Sequence, residues 1–364
     1  MAHVPAFYGP IINEVLREPL KIGQGGRWEA TPGTSWLALV RLEAGLIAHL
    51  GSEIKATFGE RAKEMVQEAA TRYGRYRGEC IRRTVESKGL PLDIPNMWKW
   101  WDLPVTDARD EERENDDLSP DFNSFEVSNC PFNEVYGAIY DPELRGPHCE
   151  AMHIAAFTGY NPAMEFWLPA LMPRGEARCL FRMRIPPDEA EKAVRRATGK
   201  DQPRPLDDLT SAYSLVVRQI AIVYHFFADT LLDTVGPAQT DDVLRRAIAA
   251  WGAYRGREMR QVHLDKGWPL DLQTFATYYD DPSAGEAWLA QNVRVSPTEY
   301  HLEITKSPWF DWFTTLATGH RAAILWEEAL PAQAKAYNPS ISVAIPRLLE
   351  RGDSVSEFHY TMPA

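Results

Sequence analysis

The chain repeats itself, and that limits its architecture more than any other feature. Gly74-Arg75-Tyr76-Arg77-Gly78, Lys88-Gly89-Leu90-Pro91-Leu92-Asp93 and Trp98-Lys99-Trp100-Trp101-Asp102 form one series. They return as Gly252-Ala253-Tyr254-Arg255-Gly256, Lys266-Gly267-Trp268-Pro269-Leu270-Asp271 and Phe275-Ala276-Thr277-Tyr278-Tyr279-Asp280, at an offset of 178 (252 minus 74). A second block follows at an offset of 177 (302 minus 125). In it Phe125-Glu126-Val127 matches Leu302-Glu303-Ile304, Tyr160-Asn161-Pro162 matches Tyr337-Asn338-Pro339, and Arg174-Gly175 with Phe181 matches Arg351-Gly352 with Phe358. The one-residue gap falls between Asp102 and Phe125, in the acidic run Asp107 to Asp121, where a solvated loop or lid is expected because loops tolerate length change.

Two copies in 364 residues leave each of them the size of an ordinary domain. The expected division is an N-terminal extension over 1–30, a first repeat over 31–200 and a second over 201–364. Like copies are expected to pack as a pseudo-twofold pair, doing in one chain what a homodimer does in two, so that one copy is free to lose its site.

Apolar residues at helical spacing (Trp36, Leu39, Val40, Leu42, Leu46, Ile47) predict a helix from Thr34 to about Ala56. A second runs over 59–88 and closes at Gly89 and Pro91. Ser124 to Ser128 alternates as a strand. Asn129-Cys130-Pro131 then opens a short helix, because proline is favoured at the first helical position. Another helix is expected over 147–158. Glu165 to Ala170 and Ala177 to Arg184 read as paired strands around the Pro173–Glu176 turn. Long helices followed by short strands and short helices give an α+β fold in each copy.

A hydrophobic share of 45% supports a sizeable core, and the net charge of −12 argues against a nucleic-acid backbone or an anionic membrane as partner. Met1-Ala2-His3-Val4-Pro5 lacks the basic and apolar regions of a secretory leader, and no stretch is expected to reach the roughly 20 apolar residues of a membrane span. The expectation is a cytoplasmic chain, monomeric as a pseudo-dimer or homodimeric. Its four cysteines would then be reduced, and a small molecule would be its partner.

Superposing the copies locates the chemistry. Cys130 maps to Ser307, Cys149 to Trp326, Cys179 to Ser356 and His153 to Leu330, whereas Glu150 persists as Glu327 and Glu134 becomes Asp311. Three thiols and an imidazole are confined to the first copy, and Trp326 fills whatever space the second copy had. Cys130 precedes a helix whose amides and dipole stabilise an anion, so it is the candidate nucleophile; capping the helix is the alternative. Cys149 and His153, at i and i+4, share a helix face, and Glu134 lies in the first turn of the Cys130 helix. Cys130, Cys149, His153 and Glu134 are the catalytic candidates. Glu150, Asn161, Cys179 and Trp98 are the substrate-binding candidates, with core packing the alternative for Cys179 and Trp98. No cofactor and no metal site is assigned. The cysteines with His148 or His153 offer enough ligands for zinc, but their spacings match no short zinc motif.

Cys130-Pro131-Phe132-Asn133-Glu134, Cys149, Tyr160-Asn161-Pro162, Gly175 and Cys179-Leu180-Phe181 together resemble the L-2-amino-thiazoline-4-carboxylic acid hydrolase family. Where that family often carries an aspartate shortly after the second cysteine, Met152 and His153 stand here. A more distant similarity is to vinyl-4-reductase-type and transport-particle-type domains, which implies helices packed on a small antiparallel sheet. The hydrolase resemblance implies opening of a five-membered ring at an amidine- or imine-like carbon. The thiolate of Cys130 or an activated water would add there, and His153 or Glu134 would protonate the leaving atom. Asn161 would orient a polar substituent. The competing readings are a non-catalytic sensor of small molecules or metals, and a lyase or isomerase using the same pocket.

Overall fold

The computed structural model describes residues 32–102, 113–200, 209–280 and 289–363. The 1–30 extension and the start of the acidic run lie outside them. Through their fourth strands the two repeats have the same order of elements. The first comprises α1 (Pro32–Phe58), α2 (Ala62–Ser87), α3 (Ile94–Lys99), β1 (Arg113–Leu118), β2 (Phe122–Val127), α4 (Pro131–Ile139), α5 (Pro142–Tyr160), β3 (Glu165–Ala170), β4 (Cys179–Arg184) and α6 (Pro187–Arg196). The second comprises α7 (Leu209–Val235), α8 (Pro237–Asp265), α9 (Leu272–Thr277), β5 (Leu289–Val295), β6 (Glu299–Lys306), α10 (Pro308–Thr315), α11 (Arg321–Tyr337), β7 (Ser342–Arg347) and β8 (Ser356–Thr361). The sheets are antiparallel with matching strand orders, β1-β2-β4-β3 and β5-β6-β8-β7. The fold is α+β in two tandem copies.

By packing, Ile54–Leu206 form one unit, and Asp207–Ala364 form the other with the part of α1 that ends at Glu53. Packed unit and sequence repeat are therefore different partitions, and α1 runs through the boundary. Its hold on the second unit is specific. Trp251 Nε1 donates to the Leu42 carbonyl at 3.1 Å, the His49 ring lies 5.3 Å from Tyr254, and Arg246 pairs with Glu53 at 2.6 Å.

The repeated Gly-x-Tyr-Arg-Gly motif has a packing cause. In the first unit α2 crosses α5 so closely that a Cβ on Gly78 would sit 2.0 Å from the Ala156 carbonyl oxygen. In the second, one on Gly256 would sit 2.1 Å from that of Gln333. Only glycine permits this approach. The arginine of the motif turns inward to a buried carboxylate. Arg77 Nη2 donates to Asp102 Oδ1 at 2.8 Å, and Arg255 Nη2 to Asp280 Oδ1 at 2.7 Å. Removing one partner of such a pair leaves a buried charge and costs about 3–5 kcal/mol, which accounts for the aspartate that ends both Trp/Tyr-rich segments.

The structure departs from the sequence reading in several places. The acidic run is not all loop, since 113–118 is the outermost strand of its sheet, paired with β2. An edge strand accommodates charge because its outer side needs no partner strand. Helix α5 starts at Pro142, where Asp141 accepts from the Glu143 amide at 2.8 Å, and Pro147 lies within it rather than opening it. Helix α6, with Asp188 and Glu189 in its first turn and Arg195 and Arg196 in its last, matches its dipole at both ends; it was not anticipated. Ser214–Val235 in α7 is long and apolar enough to cross a bilayer, with a mean hydropathy of 1.4, against the expectation that no such stretch exists. It is 72% buried, as a core helix is.

Candidate active site

Three elements of the first unit bring the sulfur-bearing side chains together. Strand β2 ends in Val127, which pairs with Cys179 on β4, so Cys179 faces the core beside Phe125 and Phe181, whose rings stack at 4.6 Å. Three residues after Val127 the chain enters α4 with Cys130 at its N-cap in extended conformation. Helix α5 supplies Cys149, and Cys130 and Cys149 both pack, half-buried, against the core cluster that holds Cys179. Burial pushes the Cys149 thiol well above the ordinary thiol range, and the nearby Cys179 and Cys130 thiols push it further the same way. Cys149 is therefore a protonated thiol at neutral pH.

Its helix partner is in contact. His153 Nδ1 lies 3.5 Å from the Cys149 sulfur and 2.7 Å from the Cys149 carbonyl oxygen. A carbonyl can only accept, so Nδ1 carries a proton directed to the backbone, and Nε2 is the nitrogen that can exchange one. The ring is set by Phe181, edge-on at 5.1 Å, and by Phe157, stacked at 6.3 Å. His148, on the same helix, is a different case. Its ring is buried against Tyr136 and Tyr140, and burial drives its pKa down to about 3, so it stays neutral.

The twin repeat separates site from framework. Cys130 makes no capping hydrogen bond with its side chain, and neither does Ser307, so capping does not explain the residue in either copy. Cys179 accepts from the Met172 amide at 3.3 Å, as Ser356 does from Leu349 at 3.0 Å, so its sulfur holds a turn. Glu150 pairs with Arg174, and Glu327 with Arg351 at 2.8 Å. That arginine precedes a glycine at φ 106° in one copy and 93° in the other, a left-handed turn that glycine favours. Asn161 donates to the Leu92 carbonyl at 2.9 Å and accepts from the Ala163 amide at 2.9 Å, and Asn338 repeats both bonds. Its amide is committed to the end of α5. The Trp98 indole donates to Asn123 Oδ1 at 3.0 Å and packs edge-on against Phe125 and Phe157. Of the substrate-binding candidates, Glu150, Asn161 and Cys179 thus make bonds that the second copy repeats, whereas the place of Trp98 is taken there by Ala276. Glu134, half-buried in the first turn of α4, stays beside Cys130. Arg174 escaped the sequence reading as a partner of Glu150, although its repetition as Arg351 was the signal.

The L-2-amino-thiazoline-4-carboxylic acid hydrolase model matches residues 40–183 and again 217–360, at an offset of 177 (217 minus 40). The chain belongs to this family. It carries the family module twice, and the second copy is degenerate at the positions just described. Neither the curated proteins nor the solved structures provide a match. The family is named for hydrolysis of a small thiazoline carboxylic acid, which supports a small-molecule hydrolase. In the second family module, Ser307, Trp326, Leu330, Ser356 and Phe358 line a cavity of about 20 Å³, room for one water. The Trp326 indole fills the place of Cys149 and donates to Glu350 at 2.8 Å, where the first module has Pro173. The two exchanges go together, because a buried indole N–H needs an acceptor. Among the described residues, the side chains that bring three metal-ligating atoms within 4.8 Å of one another are His301, Glu357 and His359 in the second unit, not the thiols with His148 or His153.

Proposed function

We propose that this protein opens a small cyclic C–N substrate, an amidine, thiazoline or imine-like ring, by hydrolysis at the cysteine site of its first repeat. The observation that carries this reading is the asymmetry between the twins. The side chains lost from the second copy are the ones that meet in the first, Cys149 against His153 and beside Cys130 and Cys179. Glu150 and Asn161, by contrast, keep their bonds in the second copy as Glu327 and Asn338.

Cys130 is the group assigned to attack. It heads a helix whose first amides and dipole favour an anion, whereas the Cys149 thiol holds its proton. His153 Nε2 or Glu134 takes the Cys130 thiol proton as the sulfur adds to the ring carbon, and returns it to the C–N⁻ formed from the C=N bond. The ring bond to the leaving nitrogen or sulfur then breaks, with a proton delivered to that atom. Water adds to the same carbon, the carbon–Cys130 bond breaks, and the product is substrate plus one water with the thiol restored. Activation of a water by the same acid–base groups gives the same balance without the covalent step.

The test is incubation of the full chain with 2-amino-thiazoline-4-carboxylate and mass detection of the hydrated, ring-opened product. Turnover is expected to vanish in Cys130→Ala and to fall about 10²–10⁴-fold in His153→Asn. Undiminished turnover by Cys130→Ala would remove Cys130 from the chemistry, and no product from the intact chain would remove this substrate class.

A further inference from the structure

The outer face of the second sheet carries a cluster that plays no part in the cysteine chemistry. His301 on β6 is paired directly with His359 on β8, and Glu357 lies two residues before His359 on the same face. The imidazole centroids are 3.8 Å apart. Both imidazoles turn Nε2 toward a single carboxylate oxygen, Glu357 Oε1, at 3.1 Å from His301 and 2.6 Å from His359. The other oxygen, Oε2, accepts from Arg347 Nε at 2.7 Å, and Arg347 also reaches Glu303 at 3.2 Å. Arg347 thus fixes the carboxylate with one oxygen presented to the histidines, as an outer-shell partner of a ligand does.

A plain charge cluster leaves part of this unexplained. The His301 Nε2 atom is buried and makes no hydrogen bond, because its approach to Glu357 is short but misaligned. Of the two imidazoles, only His359 bonds to Glu357 Oε1. A buried nitrogen lone pair or N–H left without a partner calls for a bound group. One ring nitrogen from each histidine and a carboxylate oxygen all lie within 4.8 Å of one another, the spread that ligands of one ion show. The twin offers a built-in comparison. At an offset of 177 the first repeat has Ser124, Leu180 and Arg182 in place of His301, Glu357 and His359, so the same sheet face there holds no ligand set.

We propose that His301, Glu357 and His359 bind one divalent transition-metal ion of the zinc class, with His301 Nε2, His359 Nε2 and Glu357 Oε1 as ligands and water completing the shell. Two imidazoles and a carboxylate suit zinc and its first-row neighbours better than calcium or magnesium, which take oxygen ligands. His359, 39% exposed, gives the ion access from solvent. Binding would tie β6 to β8 in the copy that has lost its thiols, and it is independent of the ring-opening reading.

The test uses the tag-free full chain, stripped with a chelator and dialysed against Zn²⁺ and, separately, Co²⁺. One zinc per chain is expected, with affinity at least about 100-fold weaker in His301→Ala/His359→Ala, since even outer-shell losses weaken metal sites 10–100-fold. It is expected unchanged in Cys130→Ser/Cys149→Ser. The Co²⁺ spectrum of the unaltered chain should show visible bands of nitrogen and oxygen ligation without the near-ultraviolet thiolate band, a readout that needs no variant to fold. Failure of the stripped chain to take up stoichiometric zinc, retention of zinc by the double-histidine variant, or a thiolate band would each overturn the site.

Discussion

Replacing Gly78 by alanine sets local preference against tertiary packing, and the structure predicts which wins. In an isolated helix the change is favourable by about 1 kcal/mol. Here the new methyl would lie 2.0 Å from the Ala156 carbonyl oxygen and 2.7 Å from the Tyr160 nitrogen. Both are backbone atoms of α5, so neither can swing aside. Reaching ordinary contact near 3.4 Å requires α2 and α5 to part by 1.4 Å (3.4 minus 2.0). A gap of 0.5–1 Å already forfeits a quarter to a half of each dispersion contact across it. Overpacking of this kind costs about 3 kcal/mol, so the net loss is about 2 kcal/mol after the propensity gain. Because α5 carries Cys149 and His153, the proposed ring opening should fall as well. The matched control is Gly137→Ala in α4, where the nearest atom to the new methyl is the Arg145 Nη1 at 3.9 Å. That change should be neutral or stabilising by up to about 1 kcal/mol. Urea unfolding followed by circular dichroism measures both. A Gly78→Ala chain as stable as the parent, or a Gly137→Ala chain equally damaged, would refute the close-crossing account.

The remaining predictions concern ionisation. Burial raises the Glu350 carboxyl to about 7, above its unfolded value, so the stability it contributes is full below about pH 4.5 and is lost as pH rises through about 7. Glu350→Gln should therefore gain on the parent across that window and hold a constant advantage above it, read from thermal midpoints against pH; parallel curves would contradict this. The Cys149 thiol, raised by burial, should resist iodoacetamide at pH 8 while Cys130 is alkylated, with peptide mass mapping as the readout. Faster labelling of Cys149 than of Cys130 would reverse their assigned roles.

Much of the architecture was legible because twin copies report on each other. Helix α1, the α2 stop at Gly89, the β3–β4 hairpin and the Cys130 N-cap all carry local signals in proline, glycine and apolar spacing. Strand β1 and helix α6 lack an apolar pattern, and their acidic and basic residues gave no hint that edge pairing and dipole matching would order them. The candidate site was legible in part. Divergence between copies singled out Cys130, Cys149 and His153, but could not separate a retained residue that binds substrate from one that holds a turn. That Asn161 and Glu150 bond to Leu92, Ala163 and Arg174 is visible only in the structure.

The amino-acid order alone determined that one module occurs twice and that three thiols and the His153 imidazole have no counterpart in the second copy, since identity at a constant offset needs no coordinates. Tertiary structure decided what those residues face. It decided that α1 packs its leading part with the second unit, that Trp326 and Glu350 changed places with Cys149 and Pro173 as a pair, and that His301, Glu357 and His359 converge across two strands. Each depends on contacts between residues far apart in the chain, where distance and burial, not local propensity, set the energy.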